Sequence, residues 1–140
     1  MERYLLDTNI LAFIICSEQD NLSPFVEDII DEQNNLLHVS SVSVIELLQL
    51  FKIQKIKPKG FKNATEIVAA IENLLFIKIL PFTKTHTEAL AKLKIANAHN
   101  DPFDHAIISH AIADKLTLVS SDRKFKEYVT QNLKFVYNKR

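Results

Sequence analysis

Arg3-Tyr4-Leu5-Leu6-Asp7-Thr8-Asn9-Ile10-Leu11-Ala12-Phe13-Ile14 is the stretch on which the fold turns. Residues 3–6 have the length and apolar character of a short buried strand. An acid ends it, and Thr8 or Asn9 can cap a helix through residues 10–14. The same alternation returns along the chain. Ser23-Pro24 opens a helix carrying Phe25, Val26, Ile29 and Ile30, and a strand at 36–40 follows the Asn34-Asn35 turn. Ser43 then starts a helix whose apolar face is Leu47, Leu48, Leu50 and Phe51. Helices are expected over 63–74, 85–97 and 102–114, and strands over 76–80, 116–119 and 134–136. The pattern implies a single α/β domain over residues 1–140. It would be a three-layer α/β/α fold with a mainly parallel four- to five-stranded sheet, binding ligands at the carboxyl ends of its strands.

Composition narrows the chemistry. The 140 residues are 47% hydrophobic, enough for a substantial core, and 17 basic residues balance 17 acidic ones. Net charge therefore gives no general attraction to nucleic acid or membrane, and any polyanion must be held by local basic clusters or by metal. The one cysteine, Cys16, reads as a small core residue and suits a reducing cytosol. The start Met1-Glu2-Arg3-Tyr4 is unlike a signal peptide, and no apolar run approaches the roughly 20 residues of a membrane span. A cytoplasmic protein is expected. Gly60 is the only glycine, which excludes a Walker A loop, a GxGxxG turn and a GxSxG nucleophile elbow.

Four carboxylates stand at junctions: Asp7, Glu46, Asp104 and Asp122. If strand ends and helix starts bring them to one sheet edge, they form an oxygen cage suited to Mg²⁺ or Mn²⁺. Each has a plainer reading. Ser43-x-x-Glu46 matches a capping box, as does Thr85-x-x-Glu88. Asp101-Pro102-Phe103-Asp104 looks like a helix start, with Asp101 as the cap. Asp122 fits a turn, whereas Asp7 would end a buried strand and need a partner. The set argues for a site where no single acid does. The five histidines lack metal-site spacing and read as surface or hydrogen-bonded residues. Lys52, Lys55, Lys57, Lys59 and Lys62 form a basic cluster after the Glu46 helix. It is either a solvated loop or a hold on a phosphate backbone.

Four segments in order resemble the PIN-domain ribonucleases, in particular the VapC-like toxins of bacterial type II toxin–antitoxin pairs. They are Tyr4-Leu5-Leu6-Asp7-Thr8-Asn9, then Ser40 to Glu46-Leu47, then His99-Asn100-Asp101-Pro102-Phe103-Asp104 with Leu118-Val119-Ser120-Ser121-Asp122-Arg123-x-Phe125. The resemblance implies a Mg²⁺- or Mn²⁺-dependent endoribonuclease, a homodimer and a cognate antitoxin. It maps Asp7, Glu46, Asp104 and Asp122 onto the family's acidic quartet. Asp101, Thr8, Asn9 and Ser120 are secondary candidates, and Lys52, Lys55 and Lys57 would contact RNA. Ser120 stands where the family often has threonine, which keeps a hydroxyl. Two alternatives stay open: a PIN-like domain that binds RNA or a partner without cutting, and a receiver-like module using Asp7. A receiver wants a second acid beside the first and a lysine at a late strand end, where this chain has Ser120-Ser121-Asp122.

Overall fold

β1 (Arg3–Leu6) lies at the centre of a five-stranded sheet in which every pairing is parallel. The structure, a computed structural model, describes residues 2–139. Met1 and Arg140, the ends of the expected 1–140 domain, lie outside the described residues. In chain order the elements are β1, α1 (Thr8–Ile15), a 3₁₀ turn at Gln19–Asn21, α2 (Pro24–Asp31), β2 (Leu36–Ser40) and α3 (Ser41–Lys52). There follow α4 (Ala64–Asn73), β3 (Lys78–Leu80), α5 (Lys84–Lys92), α6 (Pro102–Asp114), β4 (Thr117–Ser120), a 3₁₀ segment at Arg123–Gln131 and β5 (Lys134–Tyr137).

The spatial order β3-β2-β1-β4-β5 puts the reversal of winding between β1 and β4. A crevice opens there beyond the strand ends, because the chain leaves β1 and β4 towards opposite sides. Side chains alternate across the sheet. Leu6 and Val119 pack beneath α1–α4 with Ile10, Leu11, Val26, Leu47, Ile67 and Ile71. Leu5 and Leu118 pack on the other face with Ile107, Ile108, Ala111, Phe125 and Tyr128. The two cores make the expected three layers, with a sheet parallel throughout.

Several boundaries differ from expectation, each for a local reason. Asp7, not Thr8 or Asn9, is the N-cap of α1. α3 starts at Ser41, ahead of Ser43, and is capped by Ser40, whose Oγ accepts from the Val42 amide. Glu46 therefore lies well inside the helix, and the expected Ser43–Glu46 capping box does not form. The box expected at Thr85 and Glu88 forms instead at Thr83, whose amide donates to His86 Nδ1 at 2.8 Å. α5 stops at Lys92 rather than running to Asn97. Gln131 takes both the Lys94 amide and carbonyl, and the Tyr128 hydroxyl takes the Ala96 amide. These long-range partners replace the helical ones. β3 begins at Lys78, since Phe76 is in the left-handed region at φ 55°.

All five histidines are buried rather than on the surface. His86 and His110, with ring centroids 3.9 Å apart, both face the Asp114 carboxylate, at 2.9 and 3.3 Å. Because the Thr83 amide donates to His86 Nδ1, the ring hydrogen sits on Nε2 and points at Asp114. That hydrogen occupies the position a metal would need, so the cluster reads as a latch between α5 and α6.

Candidate functional site

The crevice between β1 and β4 gathers the four acids. Asp7 follows β1 and is 3% exposed. Its Oδ1 accepts from the Thr8 amide at 2.7 Å, and its Oδ2 accepts from the Ser120 hydroxyl at 2.6 Å and from Asn9 Nδ2 at 3.2 Å. Ser120 ends β4, so this bond crosses the switch point. Asn9 Oδ1 ties the same edge by accepting from the Ser121 amide. Glu46, in the second turn of α3, accepts from the Thr8 hydroxyl at 2.6 Å. Asp122 starts the 3₁₀ segment, accepting from the Lys124 amide, while its own amide donates to Ser120 Oγ.

α6 supplies the remaining acid. Asp101 is its cap, accepting from the Phe103 and Asp104 amides at 2.9 and 3.3 Å, with Pro102 at the first position. Asp104 turns inward towards His99, a residue that spacing along the sequence does not single out. The polarity of this contact follows from its neighbours. His105 Nε2 lies 2.6 Å from the His99 carbonyl and must donate to it, and the Ala96 amide donates to the Tyr128 oxygen. The Tyr128 hydroxyl hydrogen is left for His99 Nδ1 at 3.0 Å. His99 Nε2 then bears the ring hydrogen and donates to Asp104 Oδ2 at 2.9 Å. Ligand atoms of His99, Asp104 and Asp122 lie within 4.8 Å of one another.

The electrostatics are those of crowded acids, of which Asp104 is paired with the His99 ring. Burial pushes the Asp7 carboxyl up to about 7; the Ser120 and Thr8 hydrogen bonds pull it down, and the Asp104 and Glu46 charges raise it. Burial also raises Glu46 and Asp104, and Asp104 repels Glu46 while Asp101 and Asp122 repel Asp104. The ion pairs found among the described residues are His–Asp contacts, so no lysine or arginine neutralises the cage. Hard anionic oxygens held rigidly without a cation fit a divalent Mg²⁺ or Mn²⁺ ion.

Thr8, Asn9 and Ser120 thus meet the acids directly. Asp101 reaches them through its charge and through the Asp104 backbone amide. Lys52, Lys55 and Lys57 lie exposed at the end of α3 and beyond, and their ammonium groups make none of the described ion pairs. Beside Glu46 a cavity of about 480 Å³ is lined by Thr8, Ile45, Gln49, Leu50 and Phe103.

An all-parallel sheet in this order, with acids from β1, α3, α6 and β4 at its switch point, defines a PIN-like α/β protein. The chain belongs to the PIN domain family, which matches residues 4–130. PIN domains are generally nucleases that use divalent metals. A chain of VapBC2 from Rickettsia felis, solved bound to a DNA fragment from their promoter, is similar at 27% identity. That match covers 98% of this chain and 99% of that one, with a TM-score of 0.67. DNA-bound VapBC from Salmonella typhimurium (17% identity, 98% of both chains, TM-score 0.65) and VapBC-1 from nontypeable Haemophilus influenzae (20%, 96% and 97%, 0.61) share the fold. Comparison with curated proteins gave no match. Among the described residues no helix is long and apolar enough to cross a membrane.

Proposed function

We propose that this chain is a metal-dependent endoribonuclease, the toxin of a type II toxin–antitoxin pair. The observation that carries the reading is the convergence of Asp7, Glu46, Asp104 and Asp122 at the β1/β4 switch point, where the ion pairs found among the described residues include no lysine or arginine and His99 alone meets one of the four acids. Those four residues would hold Mg²⁺ or Mn²⁺. The ion would supply Lewis acidity at the scissile phosphate and make water a stronger acid.

The chain's own groups fix the geometry. Three donors orient Asp7, the Thr8 hydroxyl orients Glu46, His99 orients Asp104, and the Lys124 amide orients Asp122. Each carboxylate keeps lone pairs free, so the cage is built before any ligand arrives. Among these groups none has the form of a serine or cysteine nucleophile with its base, which suits direct attack by water. Lys52, Lys55 and Lys57 would meet the RNA backbone on the α3 side. Because the structural neighbours were solved as VapBC pairs, a cognate antitoxin is the natural partner. Exposed Leu74 and Phe76 support a homodimer, whereas Phe61 and Phe82 pack onto the cores. A cytoplasmic site of action accompanies this reading. Incubating the purified chain with a labelled single-stranded RNA tests it: cleavage with Mn²⁺ and none by Glu46→Gln supports the proposal, and no cleavage with either metal refutes it.

A further inference from the structure

A second cavity, of about 530 Å³, lies on the β5 side of the molecule and is lined by Arg123, Lys126, Val129, Phe135, Tyr137 and Lys139. It has three cations and no carboxylate, in a chain whose charges balance overall. None of the three cations makes an ion pair found among the described residues. Arg123 is set by Tyr137: its Cζ lies 5.6 Å from the ring centroid and its Nε donates to the hydroxyl at 3.1 Å. Its terminal nitrogens make none of the described hydrogen bonds and stay available for a bidentate contact with phosphate. Phe135 and Tyr137, half-buried with centroids 6.5 Å apart, form the aromatic wall.

Arg123 joins the cavity to a depression nearer the acids. Arg123 immediately follows Asp122. With Lys124 and Glu127 it also lines a smaller depression of about 260 Å³ whose floor includes His99, the ring that donates to Asp104. Unpaired cations spaced along aromatic faces match a polyanion whose bases are unstacked, and duplex bases cannot reach such a wall. We propose that this groove binds the single-stranded RNA flanking the scissile bond, with Arg123, Lys126 and Lys139 on phosphates and Phe135 and Tyr137 against bases. The inference rests on the ribonuclease reading and adds a second basic track, on the β5 side of the acids, to the one that Lys52, Lys55 and Lys57 would supply on the α3 side.

Binding of a labelled single-stranded RNA decamer, followed by fluorescence anisotropy in EDTA from 50 to 200 mM salt, separates the groove from the chemistry. Lys126→Ala/Lys139→Ala should weaken binding roughly ten- to a hundredfold at the lowest salt. It should also reduce the slope of log affinity against log salt by about 1.4, or about 0.7 for each phosphate that is no longer neutralised. Tyr137→Leu should weaken binding about fivefold or more, while Tyr137→Phe, which keeps the ring but not the hydroxyl that holds Arg123, should lose less. Wild-type affinity and slope in the double variant and in Tyr137→Leu overturn the proposal, as does equal affinity for duplex RNA. Loss of a protein partner with RNA binding intact would make the groove a protein interface and also overturn it. Mn²⁺-dependent cleavage of the same decamer, run in parallel, keeps the two readings apart. Cleavage with binding insensitive to these variants leaves the nuclease and removes the groove. Groove-dependent binding without cleavage keeps the groove and removes the nuclease.

Discussion

Replacing Asp7 by asparagine removes a charge from the most buried of the four acids while keeping its shape. The Asp7 pKa rises from 3.8 to about 7, chiefly through burial. Each tenfold change in acid strength is worth about 1.4 kcal/mol, so the ionised carboxylate costs the metal-free fold about 4 kcal/mol at most. The sign follows from the proton, which is held more tightly by the folded chain than by the unfolded one. The stability associated with this group is complete below pH 3.8, is lost as pH rises towards about 7, and does not return above it. The substituted amide keeps an acceptor for the Thr8 amide and its nitrogen can donate to Ser120 Oγ, but that nitrogen faces the Asn9 Nδ2 donor, which offsets about 1 kcal/mol of the gain. Asp7→Asn should therefore be more stable than the wild type in EDTA at pH 8, by about 1–3 kcal/mol, and the gap should shrink by about 2–3 kcal/mol at pH 5. Urea unfolding at both pH values measures it. Saturating Mn²⁺ should stabilise the wild type at pH 8 and have little effect on the variant. A variant less stable than the wild type at pH 8 without metal, or a gap independent of pH, would refute the reasoning.

Glu46→Gln should melt within a few degrees of the wild type, since Gln can still accept from Thr8 and Ser40 caps α3. Its cleavage and Mn²⁺ affinity should fall beyond the roughly 100-fold that outer partners are worth. Early melting with activity intact would instead mark Glu46 as structural. Asp101→Asn should retain its cap, lose less than about 1 kcal/mol and stay active, whereas Asp104→Asn should lose cleavage with the fold intact. Equal loss at matched thermal stability would make Asp101 a ligand. His99→Gln should lower Mn²⁺ affinity about 10- to 100-fold by calorimetry, because Asp104 loses its orienting ring. A lower melting temperature with unchanged metal affinity would give His99 a purely structural role.

The sheet and the acidic set were legible because both depend on local chemistry. Tyr4-Leu5-Leu6 before Asp7, and Asp101-Pro102 before an apolar helix, are punctuation that survives folding unchanged. Where several local options compete, the sequence alone does not choose. Ser40, Ser41 and Ser43 all offer hydroxyls, and Ser40 caps because β2 ends there and His110 binds the same oxygen. The end of α5 is set by Gln131 and Tyr128, which are remote in sequence. His99 is hard to foresee because its partners Asp104 and Tyr128 become neighbours only when α6 and the 3₁₀ segment pack together. That segment has its own faint signal, Phe125 and Tyr128 at the spacing of the 3₁₀ period.

The central claim is that the acidic quartet cuts RNA through a divalent ion. The most direct test is cleavage of a labelled single-stranded RNA by the purified wild type and by Asp7→Asn, in Mn²⁺, in EDTA, and in EDTA followed by excess Mn²⁺. The account predicts cleavage by the wild type in Mn²⁺, none in EDTA, full recovery when metal is restored, and none by the variant throughout. Equal cutting in EDTA, or by Asp7→Asn in Mn²⁺, would contradict it.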